Sequence, residues 1–468
     1  MERRVFLFLI LTLSFFLFYF YWWNRYSPPQ FSKEKNISGE RKEKKVEIIP
    51  PSTEVLKEVT TDKFVVTYSI TGGYIKKILI KPYKETLPFQ NIGYSSQDRG
   101  KNFKLIQKND TVILSSDDTV KEFKFKGFLI HLKIKPQKKP EIFFSNSLES
   151  NRLSQRFQEV FYKEKTALKR ASFFKIKEKR LSTSFLGARS RYYCLVFRSK
   201  KDFSSKLIRK KKEILGSLIL PSGEIDIYVG PQSLSELKKY GFEEVVSYGM
   251  FHGIALILIK ILYFFNSFTK NWGLSIILLS TSIYFLLFPF TAKSTKAMKR
   301  MQEVQPQIEE LRKKYKDNPA KLNKEIIELY RQHRVNPLGG CLPLFFQLPV
   351  FIALYQVLLR LVELKGANFL WIKDLTSPDR AIPLKIAIPF VGEYINILPL
   401  LLVVINLLQQ KFTQLPSQDT QQRQMGMFFV VFIGIIFYHF PSGLVLYWLT
   451  QNIFTFIYQF RLYRVSFS

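Results

Sequence analysis

Residues 424–460 read QMGMFFVVFIGIIFYHFPSGLVLYWLTQNIFTFIYQF, 37 residues without a Lys, Arg, Asp or Glu. As one helix they would extend about 55 Å, roughly twice the hydrocarbon core of a bilayer, so the segment must fold back. Pro441-Ser442-Gly443 near its middle supplies the turn chemistry. Two short spans joined by a very tight turn are implied, and with them a polytopic α-helical membrane protein.

Working outward, three further apolar runs lie at about 273–291, 341–360 and 394–410, which makes five spans. A sixth candidate, 248–268, is apolar apart from His252, Lys260 and Asn266. Parity decides its reading. The connection 292–336 holds 12 Lys and Arg against 6 acidic residues, and short basic loops stay on the cytoplasmic side. If 248–268 crossed, that loop would lie outside. The segment is therefore expected to be an amphipathic helix on the outer interface, turned into the first core span at Asn271-Trp272-Gly273. Arg461 and Arg464 then hold the chain end inside. Within the basic connection, Ile308, Leu311 and Tyr315 precede a break at Asp317-Asn318-Pro319, and Leu322, Ile326, Leu329 and Tyr330 come after it. This spacing predicts two amphipathic helices in a hairpin, either a solvated connector or a docking surface.

At the other end, residues 5–23 are 19 uncharged residues, about 28 Å as a helix. They end in Tyr21, Trp22, Trp23, Asn24 and Arg25 rather than in the small residues of a cleavage site, which favours an uncleaved anchor. Arg3 and Arg4 before it leave the N-terminus in the cytoplasm and send the chain beyond the anchor across the membrane. Residues 27–60, with Pro28, Pro29, Pro50, Pro51 and mixed Lys and Glu, read as a flexible linker. From 61 to 245 the pattern changes to period two, as in Phe123 and Phe125, then Ile130, Leu132 and Ile134, then Ile225, Ile227 and Val229. Turns at Thr71-Gly72-Gly73 and Pro221-Ser222-Gly223 separate such runs, and an extracytoplasmic β-sandwich is expected. His131 stands among lysines on the polar side of its strand and is expected in water.

The net charge of +34 would suit nucleic acid, but no zinc spacing, helix-turn-helix or RNP-like strand accompanies it, and specific DNA binding is not expected. Anionic lipid or ribosomal RNA would attract the same surface. Cys194 and Cys341, the two cysteines, fall on opposite sides of the membrane in this topology, so neither a disulfide nor a cysteine metal site is expected. The spans carry no paired carboxylates, Ser-His pair or metal-ligand spacing, which argues against an intramembrane enzyme. A solute channel or transporter remains the alternative, although no pairing of spans into matching halves is seen.

Three motifs stand in order: Asn271-Trp272-Gly273-Leu274-Ser275-Ile276, Asn336-Pro337-Leu338-Gly339-Gly340-Cys341 and Phe440-Pro441-Ser442-Gly443-Leu444. Together they resemble the bacterial YidC family of membrane insertases over roughly 245–464. Upstream, Tyr228-Val229-Gly230-Pro231 is similar to the end of that family's outer β-sandwich. The resemblance implies five core helices (271–464) around a polar groove open to cytoplasm and lipid, an interfacial helix (246–270) and a cytoplasmic hairpin (292–336). It also implies no nucleotide or metal cofactor. Implied partners are nascent membrane proteins, the ribosome, the Sec translocon and lipids.

Ser280, Thr281, Ser282, Tyr284, Gln347, Asn406 and Gln409 are polar residues within the spans, fit either to line such a groove or to join helices by hydrogen bonds. Tyr284 stands five residues before Pro289, where the family usually has a groove arginine. A tyrosine offers a hydroxyl and a ring but no charge there. Trp448 matches a usually aromatic, substrate-facing position, and Phe351 is a further candidate contact. The resemblance thus gives Ser280, Tyr284, Gln347, Phe351, Asn406 and Trp448 as groove residues. Lys293, Lys296, Arg300 and Asp419 are candidates for cytoplasmic docking.

Overall fold

The computed structural model describes residues 54–135, 139–149, 152–210, 212–333, 342–388, 391–413 and 420–464. The N-terminal anchor, the linker as far as residue 53, the Asn336–Cys341 motif and Asp419 lie outside the described residues. Two compact units result, one ending at Val246 and one beginning at Ser247.

The first unit is built from β1 (Leu56–Thr60), β2 (Phe64–Ser69), β3 (Tyr74–Ile80), β4 (Glu85–Thr86), β5 (Phe89–Tyr94), β6 (Lys104–Lys108), β7 (Thr111–Ser115) and β8 (Val120–Lys126). It continues through β9 (Leu129–Lys135), β10 (Glu141–Ser147), β11 (Glu159–Glu164), β12 (Ala167–Ser172), β13 (Glu178–Arg189), β14 (Tyr193–Lys210), β15 (Glu213–Ile219) and β16 (Glu224–Pro231). Twelve of them hydrogen-bond in the order β1-β2-β3-β5-β10-β15-β14-β16-β9-β8-β7-β6. Although β2 and β8 are eight places apart in that order, Tyr68 meets Phe123 edge-on at 5.6 Å and Phe64 meets Phe125 at 6.1 Å. The sheet is thus doubled over, face on face, into a sandwich.

Alternation does this work. In β8 residues 121, 123 and 125 point inward, and in β9 residues 130, 132 and 134 do. Gly72 and Gly73 turn the chain between β2 and β3 with φ of 93° and 58°, a region that suits glycine.

Two features depart from the sequence reading, and a third, the burial of Lys121, is one that it did not address. The expected linker ends in a strand, because β1 pairs along β2 and buries Val59 opposite Val66. Its other residues face water, which gives it a linker's composition. His131 is not simply solvated: its Nδ1 lies 2.9 Å from Asp226, directly opposite across the β9–β16 pair. Lys121 is fully buried, in phase with Phe123 and Phe125. Its ammonium sits 2.7 Å from the equally buried Asp98 and donates to the carbonyls of Gly73 and Gly93, each at 2.9 Å. Burial pulls this lysine below its ordinary range, opposed by the Asp98 carboxylate.

The second unit is helical: α1 (His252–Thr269), α2 (Trp272–Glu303), α3 (Gln305–Lys314), α4 (Pro319–Gln332), α5 (Leu342–Arg360), α6 (Ile397–Thr413), α7 (Thr420–Tyr438) and α8 (Ser442–Arg464). By length and composition Gly249–Thr269 and Trp272–Glu303 could each cross a membrane, and Phe345–Arg360, Ile397–Lys411 and Gly426–Tyr438 are shorter apolar helices. Outward-facing Phe285, Leu286, Leu400, Leu401, Val404, Phe428, Phe432 and Ile435 are exposed. So much bare apolar surface has its natural solvent in lipid.

Gln424–Phe460 breaks at residues 439–441, between α7 and α8. The basic connection differs in part from expectation. Its first dozen residues continue α2 as one helix as far as Glu303, and only α3 and α4 form the hairpin. Val304, Ile308, Ile326 and Tyr330 close a small core between those two, with Met301, Leu311, Leu322 and Leu329 packed around it. The Asn318 side chain accepts the Lys321 N–H at 3.1 Å, and Pro319 stands at the first helical position. An unanticipated hairpin, β17 (Ile382–Ile388) with β18 (Gly392–Ile395), precedes α6.

Candidate functional site: a polar centre between apolar helices

On α8, Tyr447, Gln451, Phe454 and Tyr458 recur at helical spacing and share one face. That face meets α2. Ser280 Oγ donates to the Tyr447 carbonyl at 2.9 Å, and Gln451 Nε2 donates back to the Ser280 carbonyl, also at 2.9 Å. One turn on, Tyr284 Oη donates to the Phe454 carbonyl at 3.2 Å while its ring stacks on Phe454, centroids 5.1 Å apart. From α5, Gln347 Nε2 donates to Tyr447 Oη. From α6, Gln409 Nε2 donates to the Asn452 carbonyl at 2.7 Å. Side-chain donors on α2, α5, α6 and α8 thus gather along one stretch of α8, inside a bundle whose outer surface is apolar.

Ser280 and Tyr284 are buried at the α2–α8 contact. Gln347 is half-buried beside Tyr447. Phe351 is half-buried and meets Trp448 edge-on at 4.9 Å, and Phe437 joins Trp448 at 5.4 Å. Asn406 is not drawn into the network: its amide donates to Leu402 of its own helix at 2.8 Å. Thr281 and Ser282 likewise back-bond to Ile277 and Leu278. Lys293, Lys296 and Arg300 are exposed on the continuation of α2. Sequence reasoning passed over Tyr447, Gln451 and Asn452. The signal was present as polar residues spaced by four on the last span.

Two glycines of the motifs have structural work. A Cβ on Gly273 would lie 2.1 Å from the Phe369 ring, so only glycine admits that ring against the start of α2. A Cβ on Gly443 would lie 3.1 Å from both Ile276 and the Leu375 carbonyl. Ser442 and Gly443 donate their N–H groups to the carbonyls of Ser377 and Leu375 at 2.7 and 3.0 Å, and Ser442 Oγ donates to the Asp374 carbonyl at 3.1 Å. Asn271 caps α2 by accepting the Leu274 N–H at 3.0 Å. The loop 369–377 therefore clasps the first turns of α2 and α8. Among the described residues no cluster of three His, Cys, Asp or Glu is placed to hold a metal.

Residues 264–467 match the family model described as 60Kd inner membrane protein. The membrane protein insertase YidC of Syntrophobacter fumaroxidans is 42% identical over 247 residues, 52% of this chain and 44% of that protein. The protein of the same name from Aquifex aeolicus is 36% identical over 287 residues, 60% of this chain and 53% of its own length. The chain spans about half the length of the curated relatives it matches. Among solved structures, an active YidC insertase with its first transmembrane domain resolved aligns with a TM-score of 0.44 at 17% identity, covering 88% of this chain and 93% of that one. Over residues 264–467 the chain is thus similar to the family described as 60Kd inner membrane protein, and it is similar to membrane protein insertases named YidC.

Proposed function

We propose that the chain is an insertase of the bacterial inner membrane, receiving newly made hydrophobic segments and releasing them sideways into lipid, alone or with the Sec translocon. The observation that carries this is the gathering of side-chain donors from three helices, α2, α5 and α6, along one stretch of α8. An unsatisfied backbone group in hydrocarbon costs several kcal/mol. Polar groups partway through the membrane shorten the unfavourable path of a crossing polar segment. Burial of the hydrophobic part then drives the rest of the insertion.

In this reading the half-buried Gln347, Phe351, Asn406 and Trp448 contact the passing segment. Ser280 and Tyr284, which are buried, form the wall behind them. Because Tyr284 spends its hydroxyl on Phe454 and carries no charge, recognition rests on hydrogen bonding and aromatic surface. Lys293, Lys296 and Arg300, with Asp419, make the cytoplasmic docking surface for the ribosome. The N- and C-termini are cytoplasmic, and the β unit is periplasmic.

Photo-crosslinking tests this, with a photoreactive residue at 351 or 448 and stalled ribosome–nascent chains bearing a short transmembrane segment, in inner-membrane vesicles. Adducts at both positions, and none from the lipid-facing position 432, are expected. Silence at both while the vesicles still insert substrate by another route would overturn the groove.

A further inference from the structure

The β17–β18 hairpin carries an apolar stripe. Ile382, Leu384, Ile386 and Ile388 occupy every second position of β17, and Ile382, Ile386 and Ile388 are 48%, 77% and 47% exposed. A two-stranded hairpin with bare branched side chains is not stable alone in water. Its base is nevertheless firmly held. Asn396 Oδ1 accepts the Arg380 N–H at 2.9 Å, and its amide donates to the Tyr438 carbonyl at 2.8 Å. The Tyr438 hydroxyl donates to the Tyr394 carbonyl at 3.0 Å, and the Arg380 guanidinium lies over the Tyr394 ring. The base is therefore tied to the last turn of α7, and β18 runs through Asn396 straight into α6.

Beside it the chain makes a second display of the same kind. Leu370 sits at a left-handed φ of 51° and is 75% exposed. A non-glycine residue there is strained. Next to it, Trp371 is partly exposed and points Nε1 toward Asp379 at 3.4 Å, one residue from the hairpin base.

We propose that the β17–β18 hairpin and the Leu370–Trp371 turn form a second membrane-binding element, lying in the headgroup and upper acyl region of the leaflet that surrounds the ends of α6 and α7. The occupant is lipid because the stripe continues an apolar surface that already faces it: shortly past the hairpin, α6 exposes Leu400, Leu401 and Val404. Lys385 and Arg380 stand within and beside the stripe, where anionic headgroups lie, and a tryptophan marks the interface. That this leaflet is the outer one rests on the proposed periplasmic side of the β unit; the lipid contact does not. Anchored there, the hairpin holds in place the loop 369–377 that clasps α2 and α8.

The test attaches a polarity-sensitive fluorophore (NBD) at Ile386→Cys or, as control, at Glu393→Cys, in full-length Cys341→Ser protein reconstituted into vesicles of phosphatidylethanolamine and phosphatidylglycerol. Cys194 is buried and stays unlabelled. Blue-shifted emission at 386, quenched several-fold more strongly by lipid carrying a shallow doxyl group than emission at 393, is expected. Water-like, unquenched emission at both positions overturns the proposal. So does blue-shifted but unquenched emission at 386: lost on dilution into excess lipid it means a second copy covers the stripe, and retained it means a protein surface does. An impermeant maleimide reaching Glu393→Cys only from the cytoplasmic side would refute the topology and leave the lipid contact standing.

Discussion

Lys121 and Tyr284 show opposite outcomes of reading single residues. Lys121 was visible in principle: in VKEFKFK it shares its phase with Phe123 and Phe125, so strand periodicity alone turns it inward. Its partner was not visible, because Asp98 arrives from a turn 23 positions earlier. Removing one member of such a pair leaves a buried charge uncompensated, at a cost of about 3–5 kcal/mol. Lys121→Met is expected to lower the unfolding temperature of the β unit strongly, monitored by near-ultraviolet circular dichroism of the full chain in detergent. Adding Asp98→Leu should restore most of the loss; no recovery would mean that the contacts to Gly73 and Gly93, not the charge pair, carry the stability. Tyr284 was legible only as a polar residue in a span, with two uses open to it. Its hydroxyl makes one interhelical hydrogen bond, and such bonds average about 0.6 kcal/mol in membranes. Tyr284→Phe is therefore expected to cost about that much in bundle stability and to leave insertion in vesicles unchanged. A large loss of insertion with normal stability would instead give the hydroxyl a direct part in handling substrate.

Elements whose physics is local were legible, and elements held by distant partners were not. The break in Gln424–Phe460 comes from length and Pro441. The α3–α4 hairpin comes from its apolar spacing and from Asn318-Pro319, which cap and start α4. The β17–β18 hairpin gave no signal, because IPLKIAI reads equally as a loop or as the edge of a span, and its base is held by Tyr438 from far along the chain. The clasp 369–377 was hidden for the same reason, and Gly273 is where it can be tested. An alanine there puts a methyl 2.1–2.5 Å from Phe369 atoms, and overpacking of this kind costs about 1–3 kcal/mol. Gly273→Ala should destabilise the helical unit by that amount in thermal unfolding. In a Phe369→Ala background, where the ring is gone, the same change should cost much less. Equal losses in the two backgrounds would place the strain elsewhere.

For the whole molecule the open question is how α1 lies, since its 18 residues make about 27 Å of helix, enough to cross. Its partners argue that it does not. Just before α1, the Ser247 carbonyl accepts from Arg360, while Tyr263, well along the helix, donates to Glu363 at 2.6 Å and meets the Trp272 ring at 5.6 Å. Arg360 and Glu363 are three residues apart at the end of α5, and Trp272 opens α2. A helix whose two parts both reach that one level runs across the bundle end. Its buried face, Ala255, Leu258, Ile259 and Leu262, would then rest on the bundle, and exposed Ile257, Phe264 and Phe268 would dip into lipid. The charge rule agrees, because a crossing α1 would carry the basic α3–α4 hairpin to the side of the β unit. Single cysteines at Met250 and Lys270, both exposed, should therefore react with an impermeant maleimide from the same side of intact cells as one at His131. A cysteine at Lys324 in the hairpin should react only after the membrane is opened. If positions 250 and 270 instead label from opposite sides, α1 is a span and the hairpin shares a compartment with the β unit. Docking of a ribosome at Lys293, Lys296 and Arg300 would then be impossible.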